Sequence, residues 1–266
     1  MQEAAFASAG KVAFYIPIEV DRLRFLKIFK NLRKLALDGF NVTVPYKEQV
    51  IPYLNQVTHE ARQIGAVNTV FKKGHRWIGT NTDADGFLQA LKTEKGFRCK
   101  GKTCFVLGAG GSSRAVVFAL IKGGAKKIQI ANRTAAKAKK IALALSRIKK
   151  STQIETVDFN RTSIQKAIIE AELIVNTTAV GLKPTDRPIV SSQEIPKAIK
   201  GKKKLFFDLI YRPAQTPFLI AADRRGHETL NGMAMLLYQG ALAWSHWANR
   251  QAPLKSMRQA LHQAMT

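Results

Sequence analysis

The sequence predicts an α/β chain of two lobes, one of them built on a doubly wound parallel sheet. Three observations predict it. Strand-like and helix-like segments alternate along the 266 residues, the pattern of helices covering mostly parallel sheets. From Thr103 the alternation becomes regular, with short apolar runs at 104–107, 127–131, 173–176 and 205–209 and helical spacing between them. A glycine-rich turn follows the first of these runs directly.

Taken in order, residues 14–20 read as a strand, and 23–37 as an amphipathic helix with Leu, Phe and Ile spaced at three and four. Asp38-Gly39 stops that helix, and 40–44 is the next strand. Residues 51–64 look helical. Residues 66–71 and 77–80 form a hairpin around Lys73-Gly74-His75 that delivers Asn81-Thr82-Asp83 at its exit, before a helix over 85–91. The glycine turn opens a helix over 114–122, and Thr216-Pro217 starts another, with Pro in the first turn. Two last helices, 233–250 and 254–264, are apolar on one face. Boundaries near 84 and 231 place a domain of residues 84–231 between two parts of the other lobe, 1–83 and 232–266.

Composition narrows the function classes. An apolar fraction of 46% is ordinary for a globular protein, and no apolar run approaches the length of a membrane span. Met1-Gln2-Glu3-Ala4-Ala5-Phe6 lacks the basic region of a secretory signal, so the expected compartment is the cytoplasm. Cys99 and Cys104 form neither a CxxC pair nor a disulfide framework and read as reduced thiols. The five His residues show no metal-ligand spacing, and no metal is expected. The net charge is +25, of which residues 84–231 carry +17. Such a field attracts polyanions, a dinucleotide or nucleic acid. The basic residues are scattered and not interleaved with aromatics, so a specific nucleic-acid partner is not expected; a lysine bias on solvated helix faces is the preferred account of the excess.

Gly108-Ala109-Gly110-Gly111-Ser112-Ser113 has the context that gives a glycine fingerprint its meaning: it leaves a strand and opens a helix. Glycines let the backbone approach a pyrophosphate, and the helix N-terminus presents N–H groups and a positive dipole. This is the mark of a Rossmann-type nucleotide domain, although Ser113 replaces the third glycine. An NAD site wants an acid about 20 residues on, for the ribose 2′-hydroxyl. Here the next strand ends in Asn132-Arg133-Thr134, with Lys137 a turn later. Arg133 can fork onto a 2′-phosphate and Thr134 can donate to it, which favours NADP(H). Asn-Arg-Thr also suits a helix cap, with Thr134 as N-cap, and both can hold at once.

In the stretch Phe40-Asn41-Val42-Thr43-Val44-Pro45-Tyr46-Lys47, an extended chain would project Asn41, Thr43 and Pro45 to one side, with Lys47 following at the same period. A lysine beside Glu48 is ordinarily surface charge. Asp83, at the end of a second strand, changes its meaning. A carboxylate near an ammonium keeps it charged and oriented, and a protonated lysine can give its proton to a carbonyl oxygen as hydride reaches the carbon.

At this point the chain resembles the shikimate dehydrogenase family across nearly its whole length. Asn41-Val42-Thr43-Val44-Pro45-Tyr46-Lys47, Gly65-Ala66-Val67-Asn68-Thr69, Asn81-Thr82-Asp83, Gly108-Ala109-Gly110-Gly111 and Asn132-Arg133-Thr134 occur in the family's order. So do Asn176-Thr177-Thr178, Asp208-Leu209-Ile210-Tyr211, Thr216-Pro217 and Gly232-Met233 with Gln239. The resemblance implies a Rossmann-type NADP-binding domain and an α/β substrate-binding domain completed by the C-terminal helices. It implies reversible, NADPH-dependent reduction of 3-dehydroshikimate to shikimate, with Lys47 and Asp83 as the catalytic pair. Thr43, Asn68, Asp83 and Gln239 would bind the ring hydroxyls, with Tyr211 at the substrate's edge. Residues Asn176, Thr177 and Thr178, together with Gly232 and Met233, would face the nicotinamide, while Gly108, Ala109, Gly110, Gly111, Ser112, Asn132, Arg133, Thr134 and Lys137 would hold the phosphates. A monomer or homodimer is implied, without a membrane.

The chain departs from the family at its start. Members begin with a strand and a Ser-x-Ser loop that binds the substrate carboxylate, whereas Met1-Gln2-Glu3-Ala4-Ala5-Phe6 aligns with the helix after that loop. The expectation is an N-terminally truncated and poorly active chain, with apolar neighbours of the missing strand exposed and Ser8 standing alone. Two alternatives stand beside the leading reading: a quinate/shikimate dehydrogenase of relaxed specificity, and an impaired remnant that keeps nucleotide binding.

Overall fold

The structure, a computed structural model, describes residues 1–266 apart from 35, 184, 200, 201 and 266 and the side chain of Arg33. The chain divides into two units, Met1–Thr82 with Leu237–Thr266, and Asp83–Leu236.

In the first unit, α1 spans Gln2–Ser8 and α2 Arg22–Lys30, followed by a single 3-10 turn at Leu32–Lys34. Asp21 starts α2, its Oδ1 accepting from the Arg24 N–H at 2.8 Å. The helix expected over 23–37 therefore stops early; Leu35, inside that span, lies outside the described residues. Strands β1 (Gly39–Asn41), β2 (Gln56–Val57), β3 (Thr69–Lys73) and β4 (Arg76–Thr80) form a sheet of order β1-β3-β4-β2. The β3–β4 hairpin turns at Gly74, whose φ of 60° suits a residue without Cβ. The helix expected over 51–64 is broken in three: a 3-10 turn at Ile51–Tyr53, β2, and α3 at His59–Ile64. Two side chains enforce the break. Asn55 Oδ1 accepts from the Trp77 N–H at 2.9 Å, and Thr58 Oγ1 caps α3 by accepting from the Ala61 N–H at 3.3 Å. The core of the unit gathers Phe25, Leu32, Val42, Val50, Val67, Val70 and Trp77, with the Phe25 and Tyr46 rings stacked at 4.3 Å.

The strand expected over 14–20 is absent. That stretch has no regular structure, and Val12, Phe14, Ile16 and Ile18 are exposed, Phe14 by 84%. Apolar composition confers strand propensity, but a strand needs a ladder partner, and none pairs with it among the described residues. An exposed apolar run of this kind promotes association. Replacing Phe14 by Ser together with Ile16→Thr and Ile18→Thr should lower dye-detected hydrophobic surface and raise the aggregation onset. Stability should move by no more than about 0.5 kcal/mol per substitution, as for other exposed positions. A marked drop in the unfolding midpoint would show instead that these side chains belong to the folded core.

In the second unit, α4 (Asp83–Lys95) leads into β5 (Thr103–Leu107), α5 (Gly111–Lys122), β6 (Lys127–Ala131), α6 (Ala135–Leu145), β7 (Gln153–Val157), α7 (Arg161–Glu170) and β8 (Leu173–Asn176). It continues with β9 (Leu205–Asp208), α8 (Pro217–Asp223) and β10 (Glu228–Leu230). All six strands are parallel, in the order β10-β9-β8-β5-β6-β7. The order reverses between β5 and β8, and the carboxyl ends of strands at such a switch point are where open α/β sheets bind ligands. The central strands are buried on both faces, Phe105, Leu107, Ile174 and Phe206 packing against Ile164, Ile168, Phe218 and Leu219. Two edge strands, β7 and β10, were not expected; both carry polar residues. Helix α9 (Met233–Ala248) and α10 (Leu254–Gln263) end the chain, and α9 gives its residues from 237 onward to the first unit. No helix among the described residues is long and apolar enough to cross a membrane.

Candidate functional site

Lys47 does not continue an extended strand. Strand β1 ends at Asn41, and residues 43–46 form a turn closed by the Tyr46 N–H donating to Thr43 O at 2.9 Å, with a cis Val44-Pro45 peptide. Pro45 has no N–H to give a ladder, so the alternation expected to reach Lys47 ends before it. The lysine is half-buried, and its own carbonyl accepts from the Val67 N–H at 2.8 Å. Thr43 is exposed on the same turn.

Around Asn68 the first unit builds a polar cluster. The Asn68 amide is buried; its Oδ1 accepts from the Thr82 N–H at 2.8 Å and from Thr69 Oγ1 at 3.1 Å. Its Nδ2 donates to Thr82 Oγ1 at 3.0 Å and to Gln239 Oε1 at 3.2 Å. Gln239 is thus half-buried and engaged, not a solvated helix residue. Thr69 and Thr82 belong to this cluster, and sequence reasoning passed over both as site residues. The signal was weak, since a hydroxyl in a strand is common and only its neighbours give it a role. Asp83, next in the chain, is the first residue of α4 and is buried.

In the second unit the glycine turn leaves β5. Gly108 has φ +113°, and a methyl on it would collide with Thr177 Oγ1, so only glycine fits. Helix α5 begins at Gly111, three residues earlier than expected, with Gly110 as N-cap and no side chain capping its first turn among the described residues. A Cβ at Gly110 would meet nothing within 4 Å. The helix end therefore opens on free space, the arrangement that receives a phosphate. Ser113, where a third glycine was wanted, is buried and donates from Oγ to Gly108 O at 2.8 Å, closing the turn from inside. Ala109 and Ser112 are half-buried beside it.

At the end of β6, Arg133, Thr134 and Lys137 are exposed, and Asn132 Nδ2 donates to Thr134 O at 3.0 Å. Thr134 occupies the N-cap of α6 but its side chain makes no capping bond, so helix capping does not account for the hydroxyl. No Asp or Glu stands between Glu94 and Glu155 in the sequence. A phosphate on the ribose 2′-oxygen would meet cations and hydroxyls there, and no carboxylate from that span. The glycine turn and the β6 end fit an NADP(H) molecule by this donor set.

A second polar junction sits where β8 and β9 end. Asp208 is fully buried, and its Oδ2 accepts from Thr216 Oγ1 at 2.6 Å. Its Oδ1 accepts from the Ile210 N–H at 3.0 Å and from Asn176 Nδ2 at 3.1 Å. Asn176 Oδ1 in turn accepts from the Thr178 N–H at 3.0 Å and Thr178 Oγ1 at 2.7 Å, and Thr177 Oγ1 donates to Leu107 O at 2.7 Å. The Gly232 N–H donates to Ile210 O at 3.0 Å, and a methyl on Gly232 would collide with the Leu209 carbonyl. The Met233 N–H donates to Asn231 Oδ1 at 3.1 Å, and Tyr211 is exposed.

Burial pushes the Asp208 carboxyl up to about 6, against the pull of its three hydrogen bonds, from an ordinary 3.8. A folded-state pKa above the unfolded one means that folding favours the neutral acid. Asp208's contribution to stability is whole below pH 3.8 and is lost as pH rises through about 6, up to roughly 3 kcal/mol in all. Asp208→Asn is always neutral, so its unfolding midpoint should gain on the parent's between pH 4 and 7. His227 and His246, both held below the usual imidazole range by desolvation, act in the opposite sense but cancel in this comparison. A difference that stays flat across that window would remove the carboxyl from the account.

Known proteins match the chain throughout. Three family descriptions cover it in order: the shikimate dehydrogenase substrate binding domain over residues 1–70, shikimate / quinate 5-dehydrogenase over 90–213, and the shikimate 5′-dehydrogenase C-terminal domain over 232–262. A curated shikimate dehydrogenase (NADP(+)) of Symbiobacterium thermophilum is 40% identical over 98% of this chain and 87% of its own length. The shikimate dehydrogenase structure from Aquifex aeolicus superposes with a TM-score of 0.85 at 36% identity, over 98% of this chain and 90% of that one. The shikimate 5-dehydrogenase of Thermus thermophilus, solved with NADP(H) and shikimate, does so at 0.83 and 35% identity, over 99% and 94%. With this identity maintained over nearly its whole length, the chain belongs to the shikimate dehydrogenase family.

Proposed function

We propose that this chain catalyses the reversible, NADPH-dependent reduction of 3-dehydroshikimate to shikimate. The observation that carries the reading is the 40% identity, over 98% of the chain, to a curated NADP(+) shikimate dehydrogenase. In this reading the first unit carries the substrate and the second the cofactor. Gly108 to Ser112 and the α5 N-terminus hold the diphosphate, Asn132, Arg133, Thr134 and Lys137 hold the 2′-phosphate, and residues 176–178 with 232–233 receive the nicotinamide. When bound, NADPH supplies the hydride that reaches the ketone carbon.

Lys47 gives a proton to the carbonyl oxygen as that carbon is reduced, leaving an alcohol; in the reverse direction it takes the proton back. Asp83 is the lysine's catalytic partner and accepts from a ring hydroxyl. Amides engage polyols well because each offers both donor and acceptor in fixed geometry. Asn68 and Gln239 exchange their mutual 3.2 Å bond for substrate hydroxyls, with Thr43 and Tyr211 at the substrate's edge. The enzyme works in the cytoplasm as a monomer or homodimer.

The test is NADPH oxidation at 340 nm with 3-dehydroshikimate, against quinate and NAD(+) in the reverse direction. The match over 90–213 to a family described as shikimate / quinate 5-dehydrogenase makes quinate the second substrate to try. Binding of NADPH with no turnover of either acid would leave a nucleotide-binding protein and overturn the proposal.

A further inference from the structure

The Asp208 junction lies at the carboxyl ends of β8 and β9, yet its carboxylate is fully buried and can touch no ligand there. What it does touch is the turns after β8 and β9 and the start of α8. Asn176 Nδ2 brings in the turn after β8, since the same amide donates to Val180 O at 3.2 Å while its Oδ1 holds Thr178. The Ile210 N–H brings in the turn after β9, and through Ile210 O the backbone of Gly232. Thr216 Oγ1 brings in the start of α8, where it also accepts from the Leu219 N–H at 3.3 Å. Side-chain packing shows how closely these segments meet: a Cβ on Gly181 would lie 3.4 Å from both Ile210 Cδ1 and Thr216 Cβ. One carboxylate, accepting three hydrogen bonds, sets the relative place of two turns and a helix start. Apolar packing has no directionality with which to do the same.

We propose that Asp208 is a positioning residue whose carboxylate fixes the turns after β8 and β9 in the shape that receives the nicotinamide half of NADP(H). This rests on the reading that the nicotinamide lies at residues 176–178 and 232–233. The adenine half is held elsewhere, at the glycine turn and the end of β6, so the two halves of the cofactor report on different parts of the protein.

That separation supplies the test. Adenosine 2′,5′-bisphosphate carries the 2′-phosphate but no nicotinamide; its affinity and that of NADPH are measured by calorimetry on the full chain, with the fluorescence of bound NADPH as a second signal. Asp208→Ala leaves three donors without their acceptor. It should weaken NADPH at least ~5-fold and abolish its emission shift, while the bisphosphate stays within about twofold. Asp208→Asn, whose amide can accept from Ile210 and Asn176 and donate to Thr216, should restore NADPH to within about twofold of the parent. If Asp208→Ala does not fold, as judged by loss of its cooperative thermal unfolding transition, Thr216→Val decides, and should weaken NADPH selectively by about threefold. Equal weakening of both ligands, or unchanged NADPH affinity and emission, overturns the inference. Arg133→Ala tells apart a failure of the underlying reading: if it leaves bisphosphate binding intact, the cofactor is not where the proposal puts it.

Discussion

Lys47→Ala should lower turnover of 3-dehydroshikimate by about 10²–10⁴-fold, the range over which a positioned proton donor acts. Unfolding midpoint and NADPH affinity should stay at the parent's values. The side chain is half-buried, so its loss opens no cavity in the core. Its place in the chain is held by its neighbours. The Tyr46 ring stacks on Phe25, the Tyr46 hydroxyl donates to Val20 O at 2.7 Å, and the Val50 N–H donates to Tyr46 O at 3.0 Å. Lys47→Arg sharpens the test. A guanidinium keeps the positive charge but does not release its proton at working pH. If the lysine acts by proton transfer, arginine should be nearly as poor as alanine. Arginine at a tenth of parental turnover or better would make the residue an electrostatic anchor and remove its acid role.

The second unit was legible in the sequence because parallel strands are buried on both faces and so read as unbroken apolar runs. The runs 104–107, 127–131, 173–176 and 205–209 announced themselves in this way, although Lys127 and Gln129 interrupt the second. Strands β7 and β10 did not. At the sheet's edges Gln153, Glu155 and Glu228 can face water, and the apolar run is lost. The first unit was harder to read because its elements are short and are set by single side chains. Asn55 and Thr58 cut an apparent helix into three, and the apolar 14–20 found no ladder partner among the described residues. The site motifs were legible as local strings, but their connections were not. Asp208 and Asn176 are 32 residues apart and meet only because β8 and β9 pair in a register that sets them side by side. No periodicity in the sequence carries that register.

Arg133→Ala should raise the dissociation constant for NADPH by about 10–100-fold and leave that for NADH nearly unchanged. The size follows from losing a charge-assisted, two-pronged contact worth roughly 1.5–3 kcal/mol, a tenfold change for each 1.4. The selectivity follows from what surrounds the residue. Arg133 is exposed at the carboxyl end of β6 with Lys137 a turn away, and the chain carries no acid from Lys95 to Ile154. A bare ribose 2′-hydroxyl thus finds no carboxylate from this span to accept its hydrogen, while a 2′-phosphate finds a fork, an ammonium and the Thr134 hydroxyl, which makes no capping bond. Asp in place of Arg133 goes further, since it repels the phosphate and accepts from the hydroxyl, and should turn the preference toward NADH. Salt separates this contact from the general field of a +25 chain. Raising ionic strength should weaken NADPH binding to parent and variant alike where the field alone acts, whereas a direct fork keeps a parent advantage even at high salt. If NADPH and NADH are weakened equally by Arg133→Ala, the residue contributes only to that field, and discrimination between the two cofactors must come from Thr134 or Lys137.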